Sequence, residues 1–221
     1  MNAAVDPPRD CPICPRLVAY REALRVKEPD WCNAPVPSFG SLADSSLLIV
    51  GLAPGVGGAN RTGRPFTGDY AGELLYGCLI EFGFAEGEFL ARADDGLTLI
   101  GAAVTNAVRC VPPQNKPIGA EISGCRPFLA ATIAAMPNLR VILALGRIAH
   151  DAVIRTLGER LAQYPFRHGA LHQAGQHLVA DSYHPSRYNV NTGVLTREMF
   201  ADVVKGVRGA IDGGAAAGPG G

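Results

Sequence analysis

Four short apolar runs, partly β-branched and bounded by turn residues, punctuate the chain at Leu47–Leu52, Leu97–Thr105, Val141–Leu145 and His177–Ser182. Runs this brief read as strands buried on both faces of a sheet. Helical periodicity fills the intervals at Ala71–Phe84, Gly119–Ala135 and Arg147–Leu161, with further helices at Leu17–Val26 and Thr196–Ile211. Strands alternating with helices of this length predict an α/β fold, a mostly parallel sheet covered by helices on both sides. Ligands of such sheets lie in the crevice beyond the carboxyl ends of the strands. Three polar segments rich in glycine and proline follow strand ends, 53–69, 106–118 and 183–195, and are expected to meet there.

A chain of 221 residues, 48% of them hydrophobic, fills one well-packed domain, expected over residues 1–211. The last ten residues, "DGGAAAGPGG", have almost no side chain to bury, so 212–221 reads as a disordered tail. Twenty basic residues balance twenty acidic ones. That excludes a global basic field, so any nucleic-acid partner must be met by locally placed charge. No apolar stretch reaches the roughly 18–20 residues of a membrane helix, and the N-terminus lacks the apolar core of a signal peptide. Cytoplasmic residence is the expectation, and in a reducing compartment the six cysteines are buried side chains or metal ligands rather than disulfides.

The loop "GLAPGVGGANRTGRPFTGD", 51–69, tests the idea of a phosphate site. It has no Lys followed by Ser or Thr at its end, as a phosphate loop requires. Gly55, Gly57 and Gly58 come too early for a dinucleotide fingerprint, and Pro65 interrupts before the helix begins. Asp69 either caps the helix starting near Tyr70 or serves chemistry, and Phe66 is either core or a binding platform. A loop that approaches a ligand closely, with an aromatic ring and a carboxylate beside it, suits a nucleobase better than a phosphate.

Cys11 and Cys14 form C-x-x-C stiffened by Pro12 and Pro15, and Cys110 and Cys125 lie 15 positions apart. Two such pairs supply four thiolates to an iron–sulfur cluster or to zinc, and spacing leaves both open. Cys78 sits in an apolar helical pattern and reads as core; Cys32 is left outside the set. After the last strand, "SYHPSRYNVNTGVLTREMF" places His184, Arg187, Tyr188, Asn189 and Asn191 where the other two loops converge.

Taken together, "GLAPGVGGANRTGRPFTGD", "RCVPPQNKP" and "YHPSRYNVNTG" resemble the uracil-DNA glycosylase superfamily, and in particular its iron–sulfur-containing family 5, the type B enzymes. The likeness runs from about Cys11 to Met199. It implies a three-layer α/β/α sandwich around a four-stranded, mostly parallel sheet. It implies a [4Fe–4S] cluster held by Cys11, Cys14, Cys110 and Cys125. The expected activity is removal of uracil, and of other deaminated bases such as hypoxanthine, from double-stranded DNA by a monomer that flips the base out and leaves an abasic site.

The resemblance puts catalytic roles on Asp69, His184 and Asn115, with Phe66 matching the aromatic on which the sister family 4 stacks the base. Leu52, Ala53 and Gly55 would offer backbone N–H groups, Asn106 would read the uracil edge, and Arg187, Tyr188 and Asn189 would meet the flanking strand. Leu52 stands where family 4 has an acidic residue, whereas Asn106 matches the family 4 asparagine. Arg61, Arg64, Arg109, Lys116, Arg147, Arg187 and Arg197 lie in or beside the loops and are expected to contact phosphates. The alternatives are a family 4-like enzyme restricted to uracil, a metal-containing nucleic-acid binding module without catalysis, and an enzyme of free nucleotides; the missing phosphate-loop lysine opposes the last.

Overall fold

A computed structural model describes residues 5–215. In chain order the elements are α1 Pro15–Lys27, β1 Leu47–Gly51, α2 Ala59–Thr62, α3 Tyr70–Glu81, β2 Ala85–Glu86, β3 Thr98–Leu99 and β4 Ala102–Asn106. There follow α4 Gly119–Ala134, β5 Val141–Leu145, α5 Arg147–Thr156, β6 Leu171–Ala174, β7 His177–Ser182, α6 Arg187–Asn191 and α7 Arg197–Ala215.

The main sheet has the order β4-β1-β5-β7-β6, with the first four strands parallel and β6 antiparallel at the edge. Every residue of β1, β4 and β5 is buried, because helices cover both faces. Alternate side chains of β1 enter opposite cores. Leu47 and Ile49 pack with Leu75 and Leu79 of α3 and Phe200 and Val204 of α7. Leu48 and Val50 pack with Leu129 of α4 and Val153 of α5. The result is the three-layer α/β/α arrangement expected.

Three details differ from the expectation. The sheet has five strands rather than four. The extra one, β6, is a sparsely apolar edge strand, "LHQA", that returns to β7 through Gly175–Gln176, and its exposed–intermediate–exposed–buried pattern hides it from a search for buried runs. The run Leu97–Thr105 is two strands: β3 pairs antiparallel with β2 in a separate ribbon, and the chain turns at Ile100–Gly101 before β4 joins the sheet. Helix α5 stops at Thr156 rather than Leu161, whereas α7 continues past Ile211 to Ala215. The remainder of the expected tail, 216–221, lies outside the described residues. Among the described residues no helix is long and apolar enough to cross a membrane.

A buried polar network ties α5 to the end of β7. His150, 1% exposed, has Nδ1 2.6 Å from Asp181 Oδ1 and Nε2 2.8 Å from the Tyr164 carbonyl. Both partners accept, so the ring satisfies both only as the imidazolium, donating from each nitrogen. Asp181 also accepts from His172 Nε2 at 3.1 Å and from the Arg167 N–H at 3.3 Å. Desolvation pulls the His150 pKa down, but the hydrogen bond and charge of Asp181 outweigh it and the net shift is upward. A raised folded pKa gives stability that is fully present below the unfolded value of 6.5 and is lost as pH rises through the folded one. Urea unfolding should therefore show the wild type losing stability relative to His150→Gln as pH climbs above 6.5; a difference that stays constant with pH contradicts the imidazolium.

Candidate active site

The carboxyl ends of the parallel strands surround a cavity of about 300 Å³. Leu52, Ala53 and Gly55 line it from the segment after β1, where Ala107 and Val108 extend the β4 pairing by donating to the Gly51 and Leu52 carbonyls. Phe66 and Asp69 enter from the far end of the same loop, Asn106 from the tip of β4, Asn115 from the next loop and His184 from the segment after β7. Eight of the side chains and loop positions singled out in the sequence thus share one space.

Asp69 caps the helix and also lines the cavity. Its Oδ1 accepts from the Gly72 N–H at 3.1 Å and caps α3. Its Oδ2 lies along the glycine loop, where a Cβ on Gly58 would come within 3.0 Å of it. The absence of a side chain at Gly58 leaves the carboxylate room, whereas Gly57 faces open space and Gly55 only an ordinary contact. Burial raises the Asp69 pKa, and the N–H groups of Gly72 and Ala71 partly oppose the rise.

Phe66 is likewise both core and wall. It is 6% exposed, packs in the α3–α7 core, and has φ +53°. A Cβ on Gly51 would collide with its ring and with Asn106 Oδ1, so the small residue at the end of β1 lets both crowd the cavity floor. Asn106 is 3% exposed, and its carboxamide makes no hydrogen bond to another described residue.

The His184 ring lies 6.1 Å from that of Phe66, tilted by 31°. Burial alone pulls its pKa down to about 4. At neutral pH the ring is uncharged and carries one N–H. Asn115 is exposed and follows Gln114 in a 3-10 turn; both are left-handed, with φ +55° and +57°. Arg16 steadies the turn by donating to the Lys116 carbonyl at 3.0 Å and pairing with Glu121 at 2.7 Å.

The three residues of α6 stand apart from the cavity. Ser186, which caps α6, lines it instead. Asn189 donates to the His184 carbonyl at 2.8 Å, supporting the loop from behind, while Tyr188 is 74% exposed and Arg187 lies 5.9 Å over the Tyr70 ring. Pro54, Ala59 and Ser186 complete the lining and were missed. Ser186 sits two positions from His184, a signal that adjacency alone would have supplied.

Two of the seven cations expected on phosphates are not available to them. Arg109 is fully buried, bonded to Asp6, Ser38 and Thr132. Arg64 is 4% exposed and paired with Asp95. A guanidinium without water must find internal acceptors; Arg64 does so from all three nitrogens and Arg109 from both Nη atoms, its Nε having no partner among the described residues. Arg197 pairs with Glu81 on the surface; Arg61, Lys116, Arg147 and Arg187 are exposed.

Cys11, Cys14, Cys110 and Cys125 line a single small pocket with Leu17, Val108 and Phe128. All four are free thiols. Desolvation pushes Cys14 and Cys125 upward and Cys110 up to about 12. The Arg109 N–H points at Cys125 Sγ at 3.3 Å, Arg21 Nη1 lies 3.9 Å from Cys110 Sγ, and the buried Arg21 Nε has no hydrogen-bond partner among the described residues. Four soft donors in an apolar pocket, with N–H groups aimed at sulfur and a cationic side chain short of acceptors, fit an anionic thiolate-bound metal centre.

The fold is an open, mostly parallel α/β sheet with a cavity at its strand ends and a cysteine-lined pocket beside it. The family model described as the uracil DNA glycosylase superfamily matches residues 37–208, and the chain belongs to that superfamily. It is 46% identical over 202 residues to a type-5 uracil-DNA glycosylase of Thermus thermophilus, covering 88% of this chain and 90% of the relative. A type-5 uracil-DNA glycosylase of Pyrobaculum aerophilum is 39% identical across 93% and 90% of the two chains. A type-4 uracil-DNA glycosylase of the same organism is 32% identical across 92% and 91%.

An NMR titration of the His184 ring should give a midpoint of about 4, leaving it neutral from pH 6 to 8. A midpoint above 6 would remove the uncharged donor from the cavity.

Proposed function

We propose that this protein is a uracil-DNA glycosylase of the type-5 kind, hydrolysing the N-glycosidic bond of uracil, and of deaminated purines such as hypoxanthine, in double-stranded DNA. The observation that carries it is the meeting of Phe66, Asp69, Asn106, Asn115 and His184 in one cavity, in a chain that belongs to the uracil-DNA glycosylase superfamily. The base is flipped into that cavity and an abasic site is left.

Breaking the C1′–N bond leaves positive charge on the sugar and an electron pair on the departing base, an oxocarbenium-like transition state. Asp69 is the group for the sugar side. Its Oδ2, free of the cap, accepts a proton from the attacking water as the water oxygen bonds to C1′, or faces the cation directly. Burial raises its pKa and so its basicity. His184, neutral, donates its N–H to the base oxygen where negative charge collects; neutrality removes the need to solvate a second ion. N–H groups of the Leu52–Gly55 segment add donors on that side, and Asn115 closes the wall above.

Asn106 accepts from uracil N3–H and donates to O4, a pattern that cytosine reverses. Phe66 stacks on the base and offsets part of the unstacking, which costs a few kcal/mol. Leu52, where family 4 has a carboxylate, leaves that wall apolar and tolerant of a larger base. Arg187 and Tyr188, exposed on α6, meet the strand that the base has left, with Asn189 holding the His184 loop beneath them. Cys11, Cys14, Cys110 and Cys125 would hold a [4Fe–4S] cluster, which supplies four-point cross-linking of the N-terminal segment to the 110–125 loop.

The purified protein is expected to excise uracil from a U·G duplex and to accept hypoxanthine. Asp69→Asn and His184→Ala should each lower the single-turnover rate by about 10²–10³-fold. No excision of any deaminated base by the wild type would refute the assignment. Asn106→Ala distinguishes the modes: near-complete loss on uracil means a family 4-like pocket, and a modest loss with hypoxanthine still excised means the type-5 one. Metal analysis should find about four iron and four sulfide per chain; zinc in their place rejects the cluster, and Cys125→Ser should lower the metal content.

A further inference from the structure

We propose that Arg64 and Asp95 are a positioning pair for the reaction, setting where Phe66 stands in the cavity and making the 89–97 loop a working part of the site. The proposal rests on the reading of Phe66 as the surface on which the base stacks.

Arg64 begins the stretch that ends in Phe66 and Asp69, yet its charge is turned inward and buried. Its Nη1 and Nη2 donate to the two oxygens of Asp95 at 2.7 and 2.6 Å, and its Nε donates to Thr67 Oγ1 at 2.7 Å. The guanidinium carbon lies 5.1 Å from the Phe39 ring centre, 5.6 Å from Tyr76 and 5.7 Å from Phe89. Asp95, with no exposed side-chain surface, also accepts from the N–H groups of Leu90 and Leu97 at 3.0 and 3.1 Å. The hydrogen bonds from Arg64 hold its carboxyl well below the usual carboxylate range, so the pair stays charged under any assay condition near neutrality.

Between Arg64 and Thr67, which its Nε holds, the chain makes an unfavourable turn. Phe66 is a non-glycine residue at φ +53°, with its carbonyl pressed where Gly72 has no Cβ and its ring pressed against Gly51. Tyr76 adds a hydroxyl hydrogen bond of 2.6 Å to the Pro65 carbonyl. A left-handed aromatic persists only where its surroundings over-determine it. Here the bracket is a bidentate ion pair enclosed by three rings. Such pairs add little net stability over apolar packing, but they hold one geometry. The geometry held is that of the cavity wall.

The test is a cycle of Arg64→Gln, Asp95→Asn and the double variant, with Thr67→Val as the mildest cut, all measured below their melting temperatures and per folded molecule. Each single change is expected to slow single-turnover uracil excision at least about tenfold and to weaken inhibition by free uracil similarly, while duplex affinity stays within about threefold. The double variant should be no slower than the slower single, the signature of one shared interaction. A lower melting temperature with rate and uracil inhibition unchanged means a merely structural pair and overturns the proposal, as does full additivity. If the first two variants do not fold, Thr67→Val decides: no change in rate or uracil inhibition overturns it. The His184 ring resonances, 6.1 Å from Phe66, give a readout that needs no turnover. They should move in Asp95→Asn, and their constancy counts against the pair even if the wild type excises nothing, a result that would separately sink the reading of the site.

Discussion

Burial of both faces of the parallel sheet is the constraint from which the rest of the structure follows. Once Leu47–Val50 and their partners in β4 and β5 are enclosed by helices, a polar side chain on either face must find an internal partner, as Thr105 and Asp181 do near the ends of their strands. Polar chemistry is pushed to the strand ends, and parallel strands put those ends on one side. The register then does the fine placement. Gly51 pairs with Asn106, so β1 ends in the residue with no side chain beside the one whose carboxamide faces the cavity. Phe66 closes over the same glycine. Moving the register by one position would turn Asn106 into a core and replace it with Thr105 or Ala107, which carry no amide.

Electrostatics inside the molecule divides cleanly by whether a charge has a partner. Arg64 with Asp95, Arg109 with the half-buried Asp6, and His150 with Asp181 each put a buried cationic side chain against a carboxylate, and each joins segments distant in sequence. In the cavity the two titratable groups are left without opposite charges: desolvation drives Asp69 up and His184 down. Both shifts favour neutrality. In the proposed reaction, opposite charges arising from a neutral bond would meet groups whose own solvation has already been removed, which would strengthen every interaction they make with those charges.

How much of this was legible follows from which signals are local. The four parallel strands and the helices between them were readable because both-sided burial writes an unbroken apolar run. β6 was not, because an edge strand buries little and "LHQA" carries only two apolar residues. Asp69, Phe66, Asn106 and His184 were findable from their positions after strands. The fates of Arg64 and Arg109 were not, since an arginine in a loop reads as a phosphate contact unless its acceptor is known. Asp95 lies 31 positions from Arg64 and Asp6 lies 103 from Arg109, both beyond any local pattern. Tyr188 and Arg187 lay in the right loop, yet the short helix α6 turned them outward.

The cysteine pocket and the cavity are neighbours through shared walls, and that bears on why four thiols sit in an enzyme whose bond-breaking step transfers no electrons. Ala53 lines the cavity and also packs against the cluster of Leu17, Val108 and Cys125. Asn115 lies between Cys110 and Cys125 in sequence, on a turn with two successive left-handed residues, a conformation that costs on the order of 1–3 kcal/mol for each. Within the loop one 3-10 turn and Pro112, Pro113 and Pro117 stiffen the backbone. A restraint from outside comes from α1, which begins directly after Cys14 and sends Arg16 to the Lys116 carbonyl. A centre bound by the thiols of Cys11, Cys14, Cys110 and Cys125 would set the distance over which Arg16 must reach. Joining these four points would hold both ends of the Asn115 loop and its outside brace together, so the contribution of such a centre to the chemistry would be geometric.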